Sequence, residues 1–528
     1  MTTLFDRIKF LSQPSLSSKK VYSILLIVAA LFVYPIINAN LDYIDDNARR
    51  VDGSFGWYEL GRVATEGLIR IFTFSTSTFL SNPGQLLQIL SIPVLAAAGL
   101  YFLKAVMRGS YLSWNSILVG ALVVANPFLV ANIVFRYDSL SMVTAYFLAI
   151  FAGYLVVNGA RTPHYLLGTL LLFITMLLYQ PMVLMFLLVI ICSYVYIYLS
   201  EAKRRDVALV ANKIFLPLGV FMAGVVVYFA FTSVMHFSNL GTSDRGGLVA
   251  FNRTGLLLVV DNLKNGIKVS GLFLYPDLIK LSVATLFVVA GILVAVRAFV
   301  LRHERTIWSS LLLFLTPLAL VLSIMGPFVL LQSQITFQVR TLAAGIGLVV
   351  CAVVVVVTMV HIQRYTRFAA ALVLPVIIVL YCISFSFTYA ATLKTQREFD
   401  ALVYDEVQDY IIETEKYKES FVIGGELPYT QSVQLTIQRH PIMQLMNVSS
   451  DNSRWYIWSE MRNTKLVRDA TLFTGTSDQA AFVSDVCKDE ARYTLDKGNY
   501  FTVYRLNNGT NLLWFNDPSG FSPKLCSI

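Results

Sequence analysis

The stretch VYSILLIVAALFVYPIINANLDYIDDNARR, residues 21–50, passes from an unbroken apolar run straight into a cluster of charges. About 20 apolar residues cross a bilayer, so residues 21–38 read as a membrane span. Its far end then delivers Asp45, Asp46, Arg49 and Arg50 to the headgroup level, where a lipid-borne substrate would present its polar head. No small-residue cleavage site separates the apolar run from the acids, so the segment reads as a retained anchor rather than a signal peptide.

The rest of the chain repeats this pattern. Of 528 residues, 56% are hydrophobic and only 14% charged, and the mean hydropathy is +0.65. Such a composition places the bulk of the chain in lipid and makes it a polytopic membrane protein. The net charge of +9 falls mostly in short segments between apolar runs, which is the pattern that sets topology and not that of a nucleic-acid surface. Hydropathy predicts about 11 transmembrane helices: 21–38, 86–106, 115–134, 140–158, 165–180, 182–200, 213–235, 277–299, 307–325, 341–361 and 368–390. Arg7, Lys9, Lys19 and Lys20 precede the first span. Lys104 with Arg108, Arg161, Lys203 to Arg205, Arg302 with Arg305, and Arg364 with Arg367 follow every second span after it. The positive-inside rule puts all of these on the cytoplasmic side. An odd number of spans then puts the tail outside, and the pair divided by Tyr179-Gln180-Pro181 is where a re-entrant kink would change that parity.

Two kinds of segment lie outside the spans. Residues 67–80 are too short and too rich in Ser and Thr to cross, but Leu68, Ile69, Ile71, Phe72 and Phe79 suit either a helix lying in the interface or a simple loop. From residue 392 onward the composition is that of a soluble domain. The organisation expected is therefore a transmembrane domain over 1–391, with outer loops at 39–66 and 236–276, followed by a soluble α+β domain over 392–528. Within the tail, 398–418 has helical spacing and 421–425 reads as a short buried strand. Residues 500–506 and 511–515 flank Asn508-Gly509 as the two arms of a hairpin would. Of the five cysteines, Cys192, Cys351 and Cys382 lie in spans. Cys487 and Cys526 lie in the tail, where an oxidising compartment would let them pair.

Charged groups inside a bilayer are costly, and the spans are nearly free of them, so chemistry is expected at their outer ends. The first loop supplies Asp45, Asp46, Arg49 and Arg62. Arg136, Tyr137 and Asp138 stand between the third and fourth spans, and Tyr179-Gln180-Pro181 forms the next outer turn. Arg245, Arg253 and Lys264 lie in 236–276, and Gln332, Gln334 and Arg340 near the tenth span. Taken singly, most of these also read as ordinary solvated loop charges. The first-loop acids stand apart, because a carboxylate can accept the proton of an attacking hydroxyl. A nearby arginine can stabilise the charge on a departing phosphate. That pairing suits sugar transfer from a polyprenyl phosphate and requires no metal. The five histidines show no ligand spacing, and Gly-rich phosphate loops, zinc patterns and Gly-x-Ser-x-Gly elbows are absent from the sequence.

Asn40-Leu-Asp-Tyr-Ile-Asp45-Asp46, then Arg49, Gly56-Trp57 and Gly61-Arg62, with Arg136-Tyr137-Asp138-Ser139 opening the fourth span, resemble the serotype-converting O-antigen glucosyltransferases of the Gtr type, integral-membrane enzymes of GT-C architecture. The resemblance implies a polyprenyl-phosphate glucose donor on the periplasmic face of the bacterial inner membrane. It implies lipopolysaccharide O-antigen as acceptor and no cofactor, with any divalent-cation requirement left open. It also implies that Asp45 or Asp46 is the catalytic base. Asp138 is a second acid by position, and Arg49, Arg62, Arg136 and Arg340 are candidates for the donor phosphate. Tyr137, Tyr179, Gln180 and Gln332 are candidates for substrate binding. Trp455, Tyr456 and Trp458 of the tail would serve either as a stacking surface for the acceptor or as core. A transporter or flippase of lipid-linked sugars would share the composition, but it would be expected to carry internal repeats and mid-membrane charges. An envelope-assembly subunit, with the acid pair as a mere loop cap, is the third reading.

Overall fold

The computed structural model describes residues 16–75, 79–107, 112–159, 161–200, 207–235, 249–300, 307–325, 329–330, 339–362, 366–446, 450–473, 486–488, 493–505 and 509–515. Among these, nine helices are long and apolar enough to cross a membrane: Ser18–Ala39, Leu86–Val106, Trp114–Ile133, Ser139–Asn158, Thr162–Ser200, Ile214–Val234, Asp277–Val300, Ala343–Val360 and Phe368–Glu413. The structure is thus mostly helical, with multiple membrane-spanning candidates and a small C-terminal sheet. Among the described residues the number of such helices is nine where hydropathy predicts eleven.

Two features account for the difference. The expected spans 165–180 and 182–200 are the helices Thr162–Tyr179 and Leu184–Ser200, which count as one among the nine because helical residues join them without a gap. Tyr179 is extended, at φ −157° and ψ 106°, and a 3-10 turn containing Pro181, which has no N–H to give, covers Gln180–Val183. A Cβ on Gly168 would lie 2.7 Å from Val156 Cγ2 and one on Gly153 2.7 Å from Val189 Cγ1. Both helices therefore pass the same stretch of Ser139–Asn158, and the chain turns back between them. The segment 307–325 forms the helix Ile307–Met325 but is not among the nine.

The chain groups into two compact units. One takes the described residues of Met1–Asn38, Gly56–Phe72 and Pro83–Phe387. The other takes those of Ala39–Phe55, Thr73–Asn82 and Thr388–Ile528.

In the first unit the helices approach closely where small residues allow it, as expected where lipid removes the hydrophobic drive between helices. A Cβ on Gly99 would lie 2.6 Å from Val124 Cγ2, and one on Gly120 would lie 2.8 Å from Leu103 Cδ1. Trp114–Ile133 is 94% buried within the protein, while Ile214–Val234 and Asp277–Val300 are each 28% buried. The first is a core helix and the other two show most of their surface outward. Ser113 caps Trp114–Val124 by a reciprocal pair of bonds with Ser116. The expected loop 236–276 contains a helix, Arg253–Leu272, whose start is capped by Asn252. Lys264 on that helix pairs with Asp261 at 3.5 Å, and Arg245 lies outside the described residues.

The second unit is built on a five-stranded sheet: β1 (Ser420–Gly425), β2 (Asp469–Leu472), β3 (Thr494–Lys497), β4 (Phe501–Arg505) and β5 (Asn511–Phe515). The spatial order is β2-β1-β5-β4-β3. β1 runs parallel to β2 and β5, while β4 pairs antiparallel with β5 and β3. The expected strand 421–425 is present, and the two arms expected around Asn508-Gly509 pair antiparallel as β4 and β5, while Asn508 lies outside the described residues. Side chains alternate between two buried faces. Phe421, Ile423, Phe501, Val503, Leu513 and Phe515 pack against Val403, Val407, Ile411, Ile457 and Met461. Tyr504, Leu512 and Trp514 pack on the other side with Val486. The helix expected at 398–418 is not separate from the last span. A single helix, Val373–Glu413, runs through both, because ATLKTQR at 391–397 holds neither Gly nor Pro to stop it. Cys487 is disulfide-bonded, Cys192, Cys351 and Cys382 are free, and Cys526 lies outside the described residues.

Where an interfacial helix or a simple loop is expected over 67–80, a helix is present that begins and ends earlier. It spans Val63–Thr73, and Phe74 beyond it takes a left-handed backbone with φ 51°.

Candidate active site

In the first unit, a short loop folds onto the end of a membrane helix. Tyr58–Leu60 is one 3-10 turn, closed by Gly61 at φ 70°, a conformation open to glycine at no steric cost. Arg62 N–H returns to Trp57 O at 3.0 Å. Three bonds then fasten the loop to the end of Thr162–Tyr179 and the turn after it. Thr65 Oγ1 donates to Leu178 O at 2.6 Å, Arg62 Nε donates to Gln180 Oε1 at 3.2 Å, and Gln180 Nε2 donates to Leu60 O at 3.0 Å. Gln180 also donates to Tyr228 Oη at 2.8 Å. The Arg62 guanidinium lies 4.7 Å from the Tyr179 ring centroid, a cation–π distance.

The same group holds Asp138. Trp57 Nε1 donates to its Oδ1 at 2.5 Å, and both residues are buried. Arg340 enters from the 3-10 turn Val339–Thr341. Its carbonyl accepts from Asn132 Nδ2 at 3.1 Å and from Tyr179 Oη at 3.4 Å, and its guanidinium sits 5.1 Å from the Phe135 ring centroid. Burial lowers the pKa of Arg62 from its ordinary value. The like charge of Arg340 adds to this, and Tyr179, Asp138 and Tyr228 oppose it. Burial is the larger cause, so the Arg62 guanidinium is held away from water, where an anion would stabilise its charge. Arg136 and Tyr137 are buried beside Asp138 in sequence.

The first-loop acids lie in the second unit, on the helix Asp45–Asp52. Asp46 is fully buried. Its Oδ2 accepts from Tyr43 N–H at 3.3 Å and its Oδ1 lies 3.8 Å from Arg49 Nη1. Asp45, next along, is partly exposed. Ile44, just before the pair, has φ 42°. A β-branched residue there is a strained outlier, of the kind that collects at functional sites.

The predicted residues thus fall into two groups: Arg62, Arg136, Tyr137, Asp138, Tyr179, Gln180 and Arg340 in one unit, and Asp45, Asp46 and Arg49 in the other. Gln332 and Gln334 lie outside the described residues. Trp458 belongs to the hydrophobic core of the tail, with Trp455 and Tyr456 packed against it, so packing is the role the structure gives these aromatics. Tyr228 and Asn132 were not singled out by sequence, since an amide or a phenol within an apolar run carries no local signal. Trp57 was legible only within the Gly56-Trp57 motif of the family resemblance; its burial, and with it the need of the indole N–H for an acceptor, comes from the structure.

The sequence profile of the glucosyl transferase family GtrII matches residues 34–358. The chain belongs to that family. The GtrII match takes in both first-loop acids and every arginine of the Arg62–Asp138 group. A protein of Salmonella phage P22, described as an uncharacterized 55.3 kDa protein in the gtrB 5' region, is 29% identical to the GtrII chain over 132 residues. The alignment spans 25% of this chain and 26% of the phage protein, about a quarter of each. No solved structure matches the chain.

Proposed function

We propose that the protein is an inner-membrane glycosyltransferase of GT-C type. It moves a glucosyl, or other hexosyl, group from polyprenyl phosphate to lipopolysaccharide O-antigen on the periplasmic face. The observation that carries this reading is the glucosyl transferase match across 34–358, which encloses every charged residue the chemistry requires. A disulfide-bonded Cys487 supports an oxidising, periplasmic side for the tail, and the basic residues before the first span support a cytoplasmic N-terminus.

The acceptor hydroxyl attacks the anomeric carbon and gives its proton to a carboxylate, while the bond from that carbon to the phosphate oxygen breaks and polyprenyl phosphate departs as the anion. One displacement inverts the centre; no covalent intermediate is needed. For the base we favour Asp45 over Asp46. Asp46 is fully buried and engaged with Tyr43 and Arg49, whereas a general base must reach its substrate. For the leaving phosphate we favour Arg62 and Arg340: Arg62 is buried with Arg340 as a like-charged neighbour, and an anion would stabilise it there. Asp138, held by Trp57, serves to orient its neighbours.

The test is transfer from polyprenyl-phosphate glucose to lipopolysaccharide by purified protein. Asp45→Asn should abolish product while leaving expression intact; Asp46→Asn should lower stability first. Vectorial movement of intact lipid-linked sugar without product would replace this reading with a flippase.

A further inference from the structure

Resting on the reading of Asp45 as base, we propose that the C-terminal domain positions the acid-bearing helix Asp45–Asp52 through the ion pair Arg50–Glu460, backed by Tyr43 and Arg397. Residues 39–55 group with the tail, although more than 300 positions separate them in sequence.

The contacts hold the helix along its whole length. Before its start, Tyr43 Oη donates to Met446 O, a carbonyl that also accepts from Tyr389 Oη at 2.9 Å. Arg397 Nη2 donates to Asp42 O at 2.9 Å, with its guanidinium 4.0 Å from the Tyr456 ring centroid. In the middle, Ser459 Oγ donates to Asn47 Oδ1 at 3.4 Å. Arg50 Nη2 donates to Glu460 Oε1 at 2.5 Å and to Ser459 Oγ at 3.0 Å, while Arg50 Nε lies 3.3 Å from Asp42 Oδ2. Near the end, Arg462 pairs with Asp52 at 3.0 Å, and Ala48 packs on the core of the tail.

Physical chemistry makes these contacts necessary. An eight-residue helix is far below the length at which helices hold in water by themselves, about 12–15 residues. The left-handed Ile44 costs on the order of 1–3 kcal/mol and persists only where its surroundings over-determine it. The Arg50 and Glu460 side chains are 23% and 16% exposed, so the pair is less screened than a surface bridge. A directional pair of this kind sets the rotation of the helix about its axis. That rotation decides which of the two neighbouring acids faces outward.

The experiment uses the full chain in detergent, with Arg50→Glu, Glu460→Arg and the double swap. Amide hydrogen exchange over 45–52 and transfer from polyprenyl-phosphate glucose to lipopolysaccharide are both read. Each single reversal should speed exchange over 45–52 and lower kcat by about tenfold or more, with acceptor KM within about twofold and global unfolding little changed. The double swap should restore both readouts in part, since the carboxylate then at position 50 also faces Asp42. Unchanged exchange in both single variants would overturn the docking. Faster exchange with undiminished kcat would overturn the positioning role. Full activity in Asp45→Asn would remove the base assignment instead, and exchange over 45–52 would still decide whether the tail holds this helix.

Discussion

Trp57 and Asp138 are joined by a bond from the indole N–H to the carboxylate, 2.5 Å long and closed off from solvent on both sides. It fixes the orientation of a buried acid at the point where the first loop meets the fourth apolar helix, whose backbone begins at Ser139. Ser141 Oγ and Met142 N–H occupy the Asp138 carbonyl at 2.8 and 2.9 Å, so the residue is held through both backbone and side chain.

Trp57→Phe keeps the ring and removes the donor. Hydrogen bonds to charged groups contribute about 1.5–3 kcal/mol, and a loss of that order is expected in thermal unfolding of the purified protein. Asp138→Asn retains an acceptor oxygen, so its unfolding temperature should fall less than that of Trp57→Phe. A larger fall in Asp138→Asn would show that the bond is not what the carboxylate is there for.

Arg62→Lys should weaken donor binding although the charge is kept. A lysine reproduces neither the planar stack on Tyr179 nor the donation to Gln180. Donor titration at fixed acceptor should show KM raised roughly tenfold, the loss of about one charge-assisted contact. Arg340→Ala should act in the same direction. An unchanged donor KM in both variants would remove the phosphate role.

Acid should weaken the second unit through Glu419. Partial burial pushes its carboxyl up, but hydrogen bonds from Arg505 at 2.7 Å and Asn511 at 2.5 Å outweigh this and leave the pKa below its ordinary value. A carboxyl lowered by folding contributes stability that is present above its unfolded pKa, about 4.3, and lost as pH falls through the folded one. Urea unfolding of the full chain between pH 6 and pH 3, followed at Trp514, should steepen below about pH 4. Glu419→Gln should flatten that slope.

Gly53→Ala tests the end of the acid-bearing helix. Gly53 closes it at φ 62°, donating to Arg49 O at 2.9 Å, and an added Cβ would sit 3.3 Å from Phe79 Cδ1. The left-handed conformation costs a residue with a Cβ about 1 kcal/mol or more. Faster hydrogen exchange over 45–52, with little change elsewhere, is the expected result.

Much of the fold was legible in the chain. The apolar runs at 21–38, 86–106, 140–158 and 277–299 are helices at nearly those limits, because transfer of a segment into lipid is a sum over its own residues. The strand at 421–425 and the antiparallel pairing of β4 with β5 were legible for the same reason, since alternation and turn chemistry are local. Where a local rule was silent, the reading missed. Nothing between residues 391 and 397 marks a boundary, and the helix runs on through them. Pro181 does mark one, and there one helix ends at Tyr179 and the next begins at Leu184.

By itself, then, the sequence determined that this chain enters the membrane many times, that it ends in a mixed α and β tail, and which acids and arginines lie just beyond the apolar runs. Only the tertiary structure decided that Asp46 is enclosed while Asp45 is partly open, that Trp57 is the partner of Asp138, and that residues 39–55 belong with Glu460 and Met446 of the tail. The reason is one of range. Hydrophobic transfer and turn geometry are settled within about twenty neighbours. The partner of a buried polar group is whatever the folded chain brings within 3 Å of it, here from 81 to more than 400 positions away.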